Sequence, residues 1–91
     1  MTIFQIECFL AVAEHLNFAR AATQLNVSQP AITRQIHTLE AELGTQLFIR
    51  STRMVRLTEN GRIFQSDAQL IVNTSRRSVQ RFASQDESKI I

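Results

Sequence analysis

Pro30, Thr33, Arg34 and His37 fall on one side of a helix at 100° per residue, with Gln29 at the margin of the same side. That side carries an amide, a hydroxyl, a guanidinium and an imidazole, and no acid. These groups donate and accept hydrogen bonds in fixed directions, and Pro30 adds an apolar contact. Such a set reads a polar or anionic surface and needs no nucleophile to do so. Any polar helix face could look like this, so its meaning depends on the elements around it.

The opposite arc of the same helix holds Ile32, Ile36, Leu39 and Leu43, which face a core. Just before it, Phe18, Ala21, Ala22 and Leu25 form a second short apolar stripe. Asn26, Val27 and Ser28 separate the two. The alanines let the helices cross closely, and Asn26 tolerates the positive φ of a tight turn. Val27 fills the angle, Ser28 caps the next helix, and Pro30 in its first turn loses no intrahelical bond. This is the pattern of a helix-turn-helix, whose second helix lies in the major groove of DNA.

The flanking segments fit. Thr2 and Gln5 are spaced as a capping box ahead of Ile3, Ile6, Phe9, Leu10, Ala13 and Leu16, so a first helix is expected from about 3 to 15. Asn17 caps the second helix, which ends near Leu25. The third runs from Ser28 to Gly44, a natural helix-ending residue. Residues 47–57, LFIRSTRMVRL, read as a small β-hairpin, or at least a loop with extended arms around a polar turn at 51–54. After a helix-turn-helix, such a hairpin is a wing. Thr58 then caps a long helix to about Phe82, with Gly61 in its first turn. Along it Phe64, Ala68, Ile71, Ser75, Ser78 and Phe82 make a weak heptad, widened by Ile63, Leu70 and Val72. So small a domain lacks the core to cover all of this, and a second copy of the chain is the simplest cover, with Phe64, Ala68, Ile71, Val79 and Phe82 at the interface. The polar tail from Ser84 is expected to fray. The expected fold is mainly α: a winged helix-turn-helix of three helices and a short β-hairpin over 1–58, then a linker and dimerisation helix with a polar tail over 59–91.

The formal net charge is only +2, but nine of the ten basic residues are Arg, and no acid stands between Glu42 and Glu59. The Arg fork suits phosphate and the guanine edge. Gln29 can pair with adenine and Arg34 with guanine, while Thr33 and Pro30 can meet the thymine methyl. Arg53, at the hairpin tip, suits insertion into a narrow minor groove. Arg50 is expected in a mixed role, held by Glu40 or Glu42 of the preceding helix and close to phosphate. Arg20 and His37 each either meet phosphate or stay solvated, and Asn17 and Ser28 stand at helix starts beside the backbone path. Arg76, Arg77 and Arg81 read as the wet face of the last helix.

Other chemistries find little support. Cys8 is single and sits in an apolar pattern, as a buried thiol would. His15 and His37 lack ligand-spaced neighbours, so no metal is expected, and His15 suits the C-terminal end of the first helix. No catalytic motif is visible and no cofactor is expected. There is no secretory signal and no apolar run of membrane length, so a cytoplasmic protein is expected.

AAxxL at 21–25, SQPAITRQI at 28–36, LE at 39–40, ELG at 42–44, LFIR at 47–50 and LTENG at 57–61 together carry a family resemblance. The chain resembles the N-terminal DNA-binding domain of LysR-type transcriptional regulators, closely over its first two-thirds and in kind only beyond residue 65. The resemblance implies a bacterial, nucleoid-associated regulator with a winged helix-turn-helix and a linker helix that pairs antiparallel in a homodimer. It also implies a tetramer in the full-length protein, and a small-molecule effector bound only by a separate domain absent from this fragment. Asn17 and Thr33 stand where that family commonly has Ser, and Met54 where it often has a small residue. A winged helix used purely as a protein-interaction module is the competing reading, and the acid-free face and Arg-bearing wing weigh against it.

Overall fold

The computed structural model describes residues 1–89, with side chains over 1–83. Helices α1 (Ile3–His15), α2 (Phe18–Leu25) and α3 (Gln29–Leu43) are followed by strands β1 (Phe48–Arg50) and β2 (Val55–Leu57) and by helix α4 (Glu59–Lys89). Each helix starts where a side-chain oxygen satisfies an orphan amide. Thr2 Oγ1 accepts from Gln5 N at 3.0 Å, and Gln5 Oε1 accepts in return from Thr2 N at 3.0 Å. Asn17 Oδ1 accepts from Arg20 N at 2.9 Å, Ser28 Oγ from Ala31 N at 3.2 Å, and Thr58 Oγ1 from Gly61 N at 2.9 Å.

The helix ends are as local as the starts. At the end of α2, Asn26 N donates to Thr23 O and Val27 N to Ala22 O; at the end of α3, Gly44 N donates to Ala41 O and Thr45 N to Glu40 O. This paired closure requires a left-handed residue, and Asn26 (φ 59°) and Gly44 (φ 70°) supply it. Leu16 ends α1 in the same region (φ 49°), where a residue with a Cβ costs about 1–2 kcal/mol.

The core lies where α1 meets every other layer. Ile6, Phe9 and Val12 of α1 are buried with Ala21 and Ala22 of α2, with Ile32, Ile36 and Leu39 of α3, and with Leu47 and Phe48 at the wing root. Cys8 is buried as expected. Burial first, and the Glu7 charge second, push its thiol up to about 11, so it is an uncharged filler at neutral pH. The wing is antiparallel, with Phe48 opposite Leu57, Ile49 opposite Arg56 and Arg50 opposite Val55.

The structure corrects the reading of α4 in two respects. Phe64 and Ala68, expected to face a second chain, are buried in this chain's own core with Val72, and Phe64 meets the Phe9 ring edge-on at 5.1 Å. Ile71 is half-buried against the same core. The α1 surface was free to take this stripe, so the core crosses the boundary expected at residue 58. The helix also runs to Lys89 and not only to about Phe82, in keeping with the fair helix propensity of Gln, Glu and Lys.

Gly61 fixes how closely α4 approaches. A Cβ there would stand 2.1 Å from the Leu47 carbonyl oxygen, a backbone atom with no room to move. Gly61→Ala is therefore expected to lower stability by roughly 1–3 kcal/mol, despite alanine's better helix propensity. Thermal denaturation of the two proteins checks this.

Candidate nucleic-acid interface

The face of α3 opposite its buried stripe forms an open hollow of about 530 Å³ lined by Gln29, Pro30, Thr33, Arg34, His37 and Thr38. All but Thr33, which is half-buried, are exposed. The order of this face follows from the opposite one: Ile32, Ile36 and Leu39 have no exposure, so the rotation of α3 about its axis is fixed. Pro30 lies in the first turn.

A second cleft of about 340 Å³ adjoins the first and shares Gln29 and Thr33 with it. Its walls are Asn17, Phe18 and Ala19 from the start of α2, and Arg50 to Val55 from the wing. The wing tip is built by Ser51. Its N donates to Met54 O at 2.9 Å, and its hydroxyl accepts from Arg53 N at 3.3 Å and Met54 N at 3.1 Å. The larger Met54 fits this turn and is exposed.

Arg50 takes neither acid considered for it. The Glu40 carboxylate is held by the amides of Leu47 and Phe48, at 2.7 and 3.3 Å, and Glu42 is paired with the Met1 amino group at 2.6 Å. The Arg50 guanidinium instead lies 4.3 Å from the centroid of the Phe18 ring. A cation over an aromatic face is positioned without being neutralised. Among the described residues no carboxylate stands within ion-pair distance of Arg20, Arg34, Arg50 or Arg53. Arg34, Arg50 and Arg53, which line the two hollows, therefore keep their positive charge unneutralised.

Of the residues singled out from the sequence, Gln29, Pro30, Thr33, Arg34 and His37 come together on α3. Asn17, Arg50 and Arg53 meet across the adjoining cleft. Ser28 and Asn17 use a side-chain oxygen for capping. Arg20 lies apart, in a separate hollow with His15, Ala19, Thr23 and Gln24. His15 sits in the last turn of α1, where its ring nitrogen meets the Gln24 side-chain oxygen. Thr38, Thr52 and Phe18 also line these hollows and were not among the residues singled out from the sequence. Thr38 follows from the same helical spacing, one turn after Arg34; Phe18 as the seat of Arg50 has no local signal. Among the described residues no group of His, Cys, Asp and Glu could hold a metal, and no helix is long and apolar enough to cross a membrane.

This combination of a capped recognition helix, a tight α2–α3 turn and a wing defines a winged helix-turn-helix. Residues 3–62 match the family described as bacterial regulatory helix-turn-helix protein, lysR family, and the chain belongs to that family. It is 43% identical over 90 residues to the HTH-type transcriptional regulator TfdS of Cupriavidus pinatubonensis (strain JMP 134 / LMG 1197), covering 99% of this chain and 30% of that protein. It is 53% identical over 68 residues to the HTH-type transcriptional regulator XapR of Escherichia coli (strain K12), covering 74% of this chain and 23% of that protein. The chain thus spans under a third of the length of these curated relatives. Among solved structures, the CbnR DNA-binding domain in complex with DNA superposes with a TM-score of 0.89 at 45% identity, covering 94% of this chain and 99% of that one. The BenM DNA-binding domain bound to catB site 1 DNA gives a TM-score of 0.87 at 34% identity, over 92% of this chain and 94% of that one.

The start of α3 rests on the Ser28 hydroxyl. Ser28→Ala is expected to cost about 1 kcal/mol, because one amide of the first turn loses its partner. Chemical denaturation should show a lower midpoint with an unchanged slope.

Proposed function

We propose that this chain is the DNA-reading part of a sequence-specific transcriptional regulator of LysR type. The observation that carries the reading is the continuity of the two hollows. An acid-free α3 face opens, through Gln29 and Thr33, into a cleft walled by an Arg-bearing wing. With α3 in the major groove, Gln29, Pro30, Thr33 and Arg34 meet base edges, and the wing places Arg53 at the flanking minor groove. His37, Arg50, Arg20 and the α2 start with Asn17 and Ser28 lie along the phosphates. The DNA complexes of CbnR and BenM, which share this fold over most of the chain, support the reading. A pure interaction module gives no reason for an acid-free helix face to open onto an arginine-bearing wing.

The assembly follows from α4. Its 31 residues reach about 46 Å at 1.5 Å per residue, well beyond the α1 surface. On the stripe that buries Phe64, Ala68 and Val72, the next apolar residues Val79 and Phe82 are 69% and 61% exposed. Ile63 and Leu70 are each 61% exposed on the opposite side. A second copy of α4 running antiparallel would cover this overhang, with Ile71 at its edge. The interface thus centres on Val79 and Phe82 and not on Phe64 and Ala68. A dimer brings two recognition helices, so the operator is an imperfect palindrome with half-sites about one helical turn apart. Residues 1–58 supply the reading head and Glu59–Lys89 the linker helix. A tetramer and a small-molecule effector belong to a longer chain carrying a further domain, and the site of action is the bacterial cytoplasm, on the nucleoid.

Selection of bound sites from random duplexes, followed by titration, tests the reading. Arg34→Ala should cost roughly 1–3 kcal/mol on the selected site and relax preference at one base pair. Arg53→Ala should weaken binding most on sites with A·T-rich flanks, where the minor groove is narrow. Uniform weakening on every sequence would leave only a phosphate contact for either residue.

For the assembly, sedimentation of a Val79→Asp/Phe82→Asp variant should show a monomer under conditions where the unaltered chain is dimeric. A wild type that stays monomeric at high concentration, and binds a half-site as well as a full site, would overturn the dimer.

A further inference from the structure

Glu40 stands in the last turn of α3, where the free carbonyls give the helix end a partial negative charge that disfavours a carboxylate. No basic residue in that turn offsets it. What holds the group is the wing. Glu40 Oε2 accepts from Leu47 N at 2.7 Å and from Phe48 N at 3.3 Å, where the chain enters β1. Bonds from amides to a carboxylate are roughly twice as strong as those between neutral groups.

The far side of the same joint is also fixed. Leu47 O accepts from Thr58 N at 3.0 Å, and Thr58 Oγ1 donates to Gln46 O at 2.7 Å. The wing root is therefore held from α3 by Glu40 and from α4 by Thr58. Glu40 lines neither of the hollows that form the interface. Two three-residue strands alone make a marginal hairpin, so the direction of the wing depends on its root.

We infer that Glu40 is a positioning residue for DNA reading, whose carboxylate splints the wing root to the end of the recognition helix. The distance from Arg34 on α3 to Arg53 at the wing tip is then set before DNA is met, and the two residues engage neighbouring grooves in phase without an ordering cost at binding. The inference rests on the DNA-binding reading above. It makes a separable claim, because the α3 face is fixed by Ile32, Ile36 and Leu39 and survives the loss of the splint.

Hydroxyl-radical footprinting and binding titration of the chain on its selected duplex test this, with Glu40→Ala and Glu40→Gln compared. Glu40→Ala should lose about tenfold in affinity, because the released wing must then be ordered at binding, and lose protection of the flanking minor groove. It should keep the base-pair preference set by Arg34. Glu40→Gln retains a carbonyl acceptor and should recover much of the flanking protection. Circular dichroism and amide exchange at Leu47 and Phe48 separate wing release from unfolding. Intact flanking protection in Glu40→Ala overturns the proposal. So does a loss spread equally over both grooves, or a Gln variant no better than Ala. A wild type with no footprint on any selected duplex would instead remove the DNA-binding reading, and the splint with it.

Discussion

The Phe9 ring, fully buried in α1, meets two other elements at once. It stands 5.3 Å from Phe48 at the wing root and 5.1 Å from Phe64 in α4, and Phe48 in turn meets Phe18 of α2 at 6.0 Å. Offset and edge-on aromatic contacts of this kind add to the burial of large apolar area. Through this chain of rings, α2, the wing and α4 share one set of packing constraints. The last link also places chemistry on the surface, because the face of Phe18 carries the Arg50 guanidinium.

The recognition helix is held differently. Its buried residues fix its rotation, while Ser28 and the paired bonds at Gly44 fix its two ends. None of these devices uses a side chain of the exposed face, so that face is free to be shaped by its ligand alone.

Helix α4 changes environment along its length. In its first half Phe64, Ala68 and Val72 are part of the core with α1, and further along the same stripe Val79 and Phe82 are exposed. The Glu40–Leu47–Thr58 joint ties the start of this helix to the end of α3, through the Glu40 carboxylate and the backbone of Leu47 and Thr58.

Much of the architecture was legible in the residues themselves. Thr2, Asn17, Ser28 and Thr58 as helix starts, Asn26 and Gly44 as helix ends, the hairpin around 51–54 and the composition of the α3 face all depend on contacts within about one helical turn, and side-chain type and spacing determine those. The family was legible for the same reason, since its motifs are such local signals in series. Only the tertiary structure decided where Arg50 and Glu40 find their partners, that Gly61 must be small because of Leu47, and which apolar residues of α4 belong to this chain's core. Each of these joins residues on different elements. Periodicity gives the face on which Phe64 and Ala68 lie, but it cannot say which surface arrives to cover that face. That depends on how α1 and the wing root pack in three dimensions, where shape and backbone approach select among partners that sequence spacing leaves equal.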